Sequence, residues 1–373
     1  MRRGLTVSIG GGLAGGAFAL ELARHGWPVR VLERSGGAHH KVCGEFISRD
    51  TQLILQYLGL DAGELGGSAI GRLRLASGTR AVTTDLPFEA VGLSRHRLDS
   101  ALLDAAATAG ADISFDTNVT GLQPDGDLVA VHTGSHTIQA AIVALASGKH
   151  NVRGYGRPGD DNVAMKIQLD PSADARAHLD GLVQLCGYDG GYVGACLTEG
   201  GRLALGWLMS APTVKGLGPD WLRHADHLAR SSPHVARILE GGEPVSPLVA
   251  VARLPLGYLR SRPISSAVFP IGDQLAVIPS FTGDGMAIAL STGIAAAQAV
   301  LRGESAEMYQ AERTRILRPQ FRLAKAVNFL FETSPRRAVG LAAASLIPGM
   351  ASTIVAATRL RGYERLLDRR GPR

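Results

Sequence analysis

The chain has 373 residues, of which 45% are hydrophobic, and its 39 Lys and Arg against 33 Asp and Glu residues give a formal net charge of +6. This composition is typical of a globular protein with a large buried core. The basic residues are scattered without an interleaved aromatic stripe, which argues against a nucleic acid as partner.

The cysteine content bears on the compartment. Cys43, Cys186 and Cys196 form neither an even set nor a zinc-type CxxC pair. A disulfide framework is therefore excluded, and a reducing, cytoplasmic location is expected. Because the N-terminus enters a strand at once, we expect no signal peptide there.

The first predicted elements form a strand, helix and strand: "LTVSI", "GAFALELARHG" and "PVRVLE". Between the first strand and the helix, Gly10, Gly12 and Gly15 make a GxGxxG motif, which permits a tight turn, close approach of a pyrophosphate and close helix packing. The helix N-terminus offers N–H groups to an anion. Glu33, which ends the second strand, is placed to accept hydrogen bonds from ribose hydroxyls. This unit predicts a dinucleotide site.

The middle of the chain has a different pattern. After a helix and strand in "LDSALLDAAATAGADISF" and an apolar strand in "AAIVALASG", residues 161–262 alternate as antiparallel strands with one helix around "DWLRHADHLARS". We predict an α/β fold in which a discontinuous Rossmann-type domain, residues 1–160 and 263–305, is interleaved with a mainly antiparallel β-sheet substrate domain, residues 161–262. Residues 306–373 are predicted to form a C-terminal helical segment.

A second motif, "GDQLAVIPSFTGDGM" at 272–286, distinguishes FAD from NAD. Asp273 follows a strand and can hold a ribityl hydroxyl, while the glycines before the next helix can pass under an isoalloxazine edge. A nicotinamide dinucleotide has neither need, so the predicted cofactor is FAD.

The ordered motifs "GGGLAGG…VLER", "KVCGEF", "SRHRLDSALLDAAATAGA", "LASGKHNVRG", "GGYVGACLTEGG" and "GDQLAVIPSFTGDGM" extend this interpretation. Over residues 4–330 the chain resembles FAD-dependent oxidoreductases related to geranylgeranyl reductases and to aromatic hydroxylases of the p-hydroxybenzoate hydroxylase type. The resemblance implies a single Rossmann unit with no separate NAD(P)H domain. NAD(P)H is the expected electron donor, and the alternative of a reductase partner is left open.

The resemblance also implies positions for the cofactor. Gly10, Gly12, Gly15, Glu33 and Arg34 would face the ADP half, and Arg95 the pyrophosphate and ribityl chain. The other residues expected to contact the cofactor are Lys41, Val42, Gly44, Gly148, Gly272, Asp273, Gly283, Gly285 and Met286. Lys149 and His150 would bind near the adenine or make no contact.

Three residues depart from the family pattern. Ser147 replaces a usual threonine, and Gln274 and Leu275 replace the usual small pair after the glycine-aspartate. Bulk at these two positions beside the pyrophosphate predicts weaker retention of FAD.

The segment "HHKVCGEF" carries the first catalytic candidate, Cys43. In the resembling reductases such a segment passes over the flavin, and His39, His40 and Lys41 would activate the thiol if they converged on it. The alternative is that the loop only covers FAD and that Cys43 fills space. His39, His40 and Cys43 lack a fourth ligand nearby, so no metal site is predicted.

Asp284, Tyr192 and Trp207 each have two interpretations. Asp284 either titrates beside the flavin or serves the local hydrogen bonds of a turn. Tyr192 and Trp207 either line a substrate pocket or pack in the core, and Cys186 and Cys196 are read as core residues.

The last distinctive segment, residues 338–358, has no charged residue for about 21 positions, the length at which a membrane span has to be considered. Ile347, Pro348 and Gly349 interrupt it. We expect two helices that pack on the protein or wall an apolar pocket, with peripheral membrane contact as the weaker alternative.

The expected partner is a hydrophobic small molecule. The leading prediction is a monooxygenase that hydroxylates a phenolic or polyketide-like substrate, and the alternative is a reductase of isoprenoid double bonds. A flavin-dependent halogenase and a flavin-binding protein without turnover are further alternatives. The single tryptophan of "GWLMSAP" weakens the halogenase reading, because such enzymes usually have a tryptophan pair.

Overall fold

The computed structural model describes residues 4–347 and 349–368. Within them the strands are β1 Thr6–Ile9, β2 Val29–Leu32, β3 Phe46–Ile47, β4 Ser68–Ser77, β5 Arg80–Gly92, β6 Asp112–Ser114, β7 Val119–Asp125, β8 Leu128–Thr133, β9 Thr137–Ala140, β10 Ile142–Leu145, β11 Asn162–Asp170, β12 Leu182–Tyr188, β13 Gly191–Leu197, β14 Leu203–Ser210, β15 Glu243–Pro244, β16 Val249–Ala252, β17 Tyr258–Leu259, β18 Val268–Pro270 and β19 Ala276–Val277.

The helices within the same ranges are α1 Leu13–Arg24, α2 Arg49–Tyr57, α3 Arg95–Thr108, α4 Ala173–Leu179, α5 Ala211–Leu217, α6 Trp221–Ser231, α7 Pro233–Leu239, α8 Gly285–Leu301, α9 Ala306–Phe331, α10 Ser334–Leu346, α11 Met350–Thr358 and α12 Glu364–Leu367.

A parallel sheet carries the glycine motif. Its strand order is β18-β10-β1-β2-β6, and every pairing in it is parallel. Strands β1 and β10 are buried along their whole length, as expected for a sheet covered on both faces. Helix α8 packs on α1 at close range, because a Cβ at Gly293 would lie 2.3 Å from the carbonyl oxygen of Ala14.

A larger sheet faces the first. It runs β15-β11-β14-β13-β12-β4-β5-β3, with β16 also paired to β11, and its pairings are antiparallel except that of β12 with β4. The predicted α/β fold with a Rossmann-type unit and a mainly antiparallel second sheet is confirmed. Strands β3 to β5 come from residues before the predicted domain boundary at 160, and the domain boundaries stay predictions.

The helices of residues 161–262 differ from the single helix expected there. Besides α6, which covers the predicted segment, α4, α5 and α7 have seven residues each. Two turns of helix are too short to show a helical period in the sequence. The layer that includes α6 and α7 packs on one face of the large sheet, where Leu203, Leu205 and Trp207 meet Leu228 and Val235.

The C-terminal apolar segment forms two helices, α10 and α11, bent by 112° relative to each other. Within the described ranges no single helix is long and apolar enough to cross a bilayer, and only this bent pair meets the criterion together. Residues of both helices line a cavity, which agrees with the expectation that they wall an apolar pocket.

Candidate active site

A cavity of about 900 Å³ lies between the two sheets and the C-terminal helices. It begins at the carboxyl ends of β1, β2 and β10, where ligands bind in open parallel sheets. The predicted cofactor residues that line it are Gly10, Gly12, Glu33, Arg34, Lys41, Val42, Gly44, Arg95, Gly148, Gly272, Asp273, Gly283, Gly285 and Met286.

The glycine motif closes the turn that forms one end of the cavity. Gly10 has φ +105°, and a Cβ there would lie 2.5 Å from the Ala146 carbonyl oxygen. Gly15 is absent from the lining because it packs beneath the turn, where a Cβ would lie 1.9 Å from the Gly10 carbonyl oxygen. The turn therefore requires glycine at both positions.

Two cationic side chains, Arg95 and Lys41, lie close to the N-terminus of α1. A Cβ at Gly12 would lie 3.6 Å from both Arg95 Nη2 and Lys41 Nζ. Arg95 Nε and Nη2 donate to the two carboxylate oxygens of Asp99 at 2.7 and 2.9 Å, and Lys41 Nζ donates to Asp99 Oδ2 at 2.8 Å. Burial opposes ionisation of Asp99, but Arg95 and Lys41 hold its pKa below the ordinary value. One carboxylate shared by two cations leaves positive charge beside the helix end, which suits a diphosphate.

Glu33 lies at the end of β2 with its carboxylate at the same turn. Its Oε2 accepts from Gly11 N at 2.8 Å and its Oε1 accepts from Ser35 N at 3.0 Å. Although burial raises the pKa, Lys41 and these two backbone N–H groups lower it overall. The ionised carboxylate fits the predicted contact with ribose hydroxyls. Its neighbour Arg34 points to His150, with Nη2 2.8 Å from Nε2.

Asp273 lies in a 3-10 turn that follows β18. Lys149 Nζ donates to its Oδ2 at 3.1 Å, so Lys149 lies at the ribityl end of the predicted site as a third cation. Burial raises the pKa of Asp273, but Lys149 and Arg157 lower it overall, and the carboxylate is ionised. Gly272 has φ +56° and donates its N–H to Thr292 Oγ1 at 2.9 Å, which holds the turn on α8.

The expected crowding by Gln274 and Leu275 is not seen, because neither residue lines the cavity. Gln274 Nε2 donates to the carbonyl oxygens of Gly148 and His150 at 2.9 and 2.8 Å. Leu275 is fully buried in the core. The steric reason for weak FAD binding is therefore wrong, since both side chains turn into the protein.

The other end of the cofactor groove lies at the start of α8. Gly283 has φ +73°, and a Cβ there would lie 2.9 Å from Phe46. A Cβ at Gly285 would meet no described atom within 4 Å, so the backbone is open to the cavity at this point. Met286 lines the cavity beside it.

Asp284 does not line the cavity. Its fully buried carboxylate faces the C-terminal segment, where Arg359 Nη1 lies 2.8 Å from Oδ1. Burial raises its pKa to about 7, against the opposing charge of Arg359. A direct role in catalysis stays a prediction, and the position favours a role in holding the C-terminal helices.

Cys43 lines the cavity and is half-buried. Glu45 N donates to its Sγ at 3.4 Å, and Arg95 lies within hydrogen-bond reach of the thiol. His40 does not supply the positive charge, because burial and the nearby Lys166 lower its pKa to about 4. His39 Nδ1 lies 3.1 Å from the Gly37 carbonyl oxygen. Arg95 is the cation at this thiol, and the catalytic role of Cys43 stays a prediction.

A buried ion pair beneath this loop was missed by the sequence reasoning. Glu45, which has φ +55°, accepts at Oε1 from Lys166 Nζ and from Arg95 N, both at 2.8 Å, and at Oε2 from Gln168 Nε2 at 3.0 Å. Lys166 also lies 3.4 Å from His40 Nδ1. The signal was present in "VAMKIQLD", because a lysine inside an apolar strand needs a buried partner.

Both substrate candidates, Tyr192 and Trp207, are among the residues that line the cavity, but their rings have different surroundings. Tyr192 lines the cavity, where burial raises its pKa to about 12 although Ser280 is a hydrogen-bond partner. The Trp207 ring packs in the helical layer, with ring centroids 5.8 Å from Trp221 and 5.9 Å from His224. Both assignments stay predictions, and the surroundings of Trp207 favour packing. Cys186 and Cys196 are buried, as expected of core residues.

The rest of the cavity is walled by the large sheet and the C-terminal helices. Its wall is mainly aliphatic and aromatic, with Leu73, Leu75, Leu86, Val183, Leu185, Val249, Val251, Val327, Phe331, Leu341, Ile354 and Val355. Among the described residues no group of three His, Cys, Asp or Glu side chains could hold a metal ion.

The residues of the groove fit FAD. The groove has a glycine turn that a Cβ would fill, two cations for a diphosphate, two ionised carboxylates for hydroxyls, a third cation beside one of these carboxylates, and an open backbone at Gly285. The apolar part of the cavity then continues beyond the flavin end.

Comparison with known proteins agrees with this fit. The FAD binding domain family matches residues 6–155. Protein FixC of Escherichia coli strain K12 is 26% identical over 344 residues, which cover 82% of this chain and 78% of FixC. A probable electron transfer flavoprotein-quinone oxidoreductase of the same strain, YdiS, is 22% identical over 334 residues, or 79% of this chain and 76% of YdiS.

Among solved structures, the myxobacterial chondrochloren halogenase CndH, an FAD-dependent halogenase, superposes with a TM-score of 0.74 at 17% identity. The match covers 96% of this chain and 87% of that one. At this identity the likeness shows the fold alone. The matched domain, the relatives along most of the chain and the geometry of the groove agree: residues 6–155 match an FAD binding domain, and the protein is an FAD-dependent oxidoreductase.

Proposed function

We propose that this FAD-dependent oxidoreductase reduces a lipophilic molecule, with NAD(P)H or a reductase as the source of electrons. The observation that supports a lipophilic substrate is the apolar part of the cavity, whose wall runs from the large sheet to α10 and α11. A long apolar molecule would be desolvated along this wall at a gain of roughly 25 cal/mol per Å² of apolar surface buried. The similarity to YdiS, a probable electron transfer flavoprotein-quinone oxidoreductase, supports the same class of substrate.

Some of the residues that line the cavity bind the cofactor, and others exclude water. FAD, when bound, supplies the redox chemistry by passing two electrons to the substrate. Lys41, Arg95 and the N-terminus of α1 hold the diphosphate, and Glu33 and Asp273 accept from the sugar hydroxyls. The loop that carries Cys43 is tied to β11 through Glu45 and covers the groove. The apolar wall keeps water from the reacting part of the substrate.

Hydroxylation of a phenolic or polyketide-like ring is the second candidate. Tyr192, on the cavity wall with Ser280 as its partner, could hold a phenolic oxygen. Reduction is favoured over it because a buried phenol needs hydrogen-bond partners at its hydroxyl, and the side chains around the apolar wall offer few.

Product masses distinguish the two reactions. The purified protein is incubated with NAD(P)H and a panel of prenyl lipids, quinones and phenolic polyketides, once in air and once without oxygen. A gain of two hydrogens in both conditions supports the proposal. A gain of one oxygen that occurs only in air would replace it with hydroxylation, and flavin content measured on the same samples shows whether the cofactor was present.

A further inference from the structure

Helices α10 and α11 cover the apolar part of the cavity, and we call them the cover. Each turns one stripe inward at helical spacing: residues 337, 340, 341 and 344 of α10 and residues 351, 354, 355 and 358 of α11 line the cavity. Spacings of three and four residues place these side chains on a single face of each helix. The opposite faces are left toward solvent.

Two arginines, of which Arg337 is buried and Arg359 partly buried, hold the cover at both ends. At the start of α10, Arg337 donates to Asp189 Oδ1 at 2.6 Å, to Ser77 Oγ at 3.2 Å and to the Phe331 carbonyl oxygen at 3.0 Å. At the end of α11, Arg359 lies against the Asp284 carboxylate and donates to the Thr282 carbonyl oxygen. These two arginines therefore anchor the start of α10 and the end of α11, and the bend between the helices faces outward.

The outer surface near this bend is unusually apolar. Of the ten large hydrophobic side chains that are exposed in the described residues, five lie between residues 329 and 347. Three of them form the outer apolar patch: Val339 is 67% exposed, Leu346 80% and Ile347 54%. Phe329 and Leu330 at the end of α9 are the other two, and the Arg336 guanidinium lies 3.6 Å from the Phe329 ring centroid.

The same region has a strong excess of basic over acidic residues. Residues 315–361 contain eight Lys or Arg residues and a single acidic residue, Glu332. Because the whole chain has 39 basic and 33 acidic residues, the remainder of the chain is almost balanced. Arg318, Arg322, Lys325 and Arg361 are exposed. An exposed apolar patch and exposed basic side chains within the same C-terminal region complement a surface with an apolar interior and anionic head groups.

We propose that the cover docks on an anionic lipid bilayer, with the outer apolar patch in the interface and the exposed arginines and lysine of residues 315–361 at the head groups. Helix α10 has 13 residues, fewer than the about 20 needed to span, so the contact is with one face of the bilayer. The inner faces of the same helices line the cavity, so the docked cover gives a lipophilic molecule a short path from the bilayer. This docking goes beyond the proposed function and does not depend on which reaction FAD carries out.

The test uses the FAD-loaded full chain and phosphatidylcholine vesicles with or without roughly one third phosphatidylglycerol. The double variant Leu346→Ser/Ile347→Ser removes the patch. The matched control, Leu128→Ser/Leu222→Ser, changes two exposed leucines, 40% and 71% exposed, on β8 and α6. We expect co-sedimentation of the wild type with the anionic vesicles, weaker binding at high salt, and an affinity reduced at least about tenfold in the patch variant only.

Three results would overturn the proposal. The wild type could stay in the supernatant, the patch variant could bind as well as the wild type, or the patch could hold two copies of the chain together. Analytical ultracentrifugation without lipid detects the last case as a dimer that the patch variant converts to monomer. Flavin content and the mass change of a detergent-dispersed substrate are measured on the same variants, so a failure of docking is distinguishable from a failure of the proposed reaction.

Discussion

The cofactor groove and the cover are built on different principles. In the groove, glycines and an ionised side chain meet within one strand-helix-strand unit, where Glu33 accepts from the backbone N–H of Gly11, 22 residues before it, and from that of Ser35. The cover is a pair of apolar helices held by Arg337 and Arg359, whose partners are distant in sequence. A short motif can therefore specify the groove, whereas the cover depends on the assembled sheet. Substitutions in the groove, in the cover and in the loop between them should therefore have different effects.

The largest effect is expected where the loop over the groove is tied to the large sheet. Lys166→Met leaves the Glu45 carboxylate buried without its ammonium partner, so the free energy of unfolding should fall by about 3 to 5 kcal/mol. Urea denaturation measures it. The double variant Lys166→Met/Glu45→Gln should recover part of this loss, and an unchanged single variant would mean that the pair is not formed.

The second largest effect is expected at the glycine turn of the groove. Gly15→Ala would place a methyl group 1.9 Å from the Gly10 carbonyl oxygen, so the turn must open and FAD affinity should fall at least about 100-fold. Gly37→Ala is the control, because a Cβ there meets no described atom within 4 Å. Fluorescence titration of the apoprotein with FAD compares the two, and equal affinities would contradict the role of the turn.

Removing one carboxylate of the groove should have a smaller effect. Glu33→Ala deletes a charge-assisted contact to a ribose hydroxyl, and FAD should bind more weakly by about 1.5 to 3 kcal/mol. Asp273→Ala should weaken retention as well, since its carboxylate is expected to hold a ribityl hydroxyl. Calorimetry that finds no loss for either variant would place the corresponding hydroxyl elsewhere.

The pH dependence of the unfolding free energy tests the contact of Asp284 with the end of the cover. The pKa of Asp284 is about 7 in the folded chain against an ordinary value of 3.8, so between about pH 4 and 7 the folded state binds more protons than the unfolded one. Its contribution to stability should therefore decline as pH rises through this window. The unfolding free energy of the wild type minus that of Asp284→Asn should fall from pH 4 to pH 7, and a difference that stays flat or rises would refute the raised pKa.

The smallest effect is expected at the thiol. Cys43→Ser is nearly isosteric, and if the loop only covers the cofactor, FAD content and turnover should both change less than about twofold. Stopped-flow reduction with substrate present measures this. A loss of turnover of tenfold or more with flavin still bound, about 1.4 kcal/mol in the barrier, would instead assign the thiol beside Arg95 a direct part in the reaction.

The sequence by itself determined the strand, glycine turn and helix at the N-terminus, the α/β class, the second motif around Asp273 and the choice of FAD. These features rest on contacts within one strand-turn-helix unit, so the spacing of a few residues carries their geometry. The two short helices at 334–346 and 350–358 were also predicted, because an apolar run interrupted by Pro and Gly has few other outcomes.

Only the tertiary structure decided the rest. It paired Lys166 with Glu45 across 121 positions, put Arg95 rather than the histidines beside Cys43, and turned Gln274 into the protein and Asp284 toward Arg359. Each of these is a buried polar group whose partner comes from another element. Which partner it meets depends on how strands and helices pack, since burial forces such groups to pair with whatever the fold brings within hydrogen-bond distance.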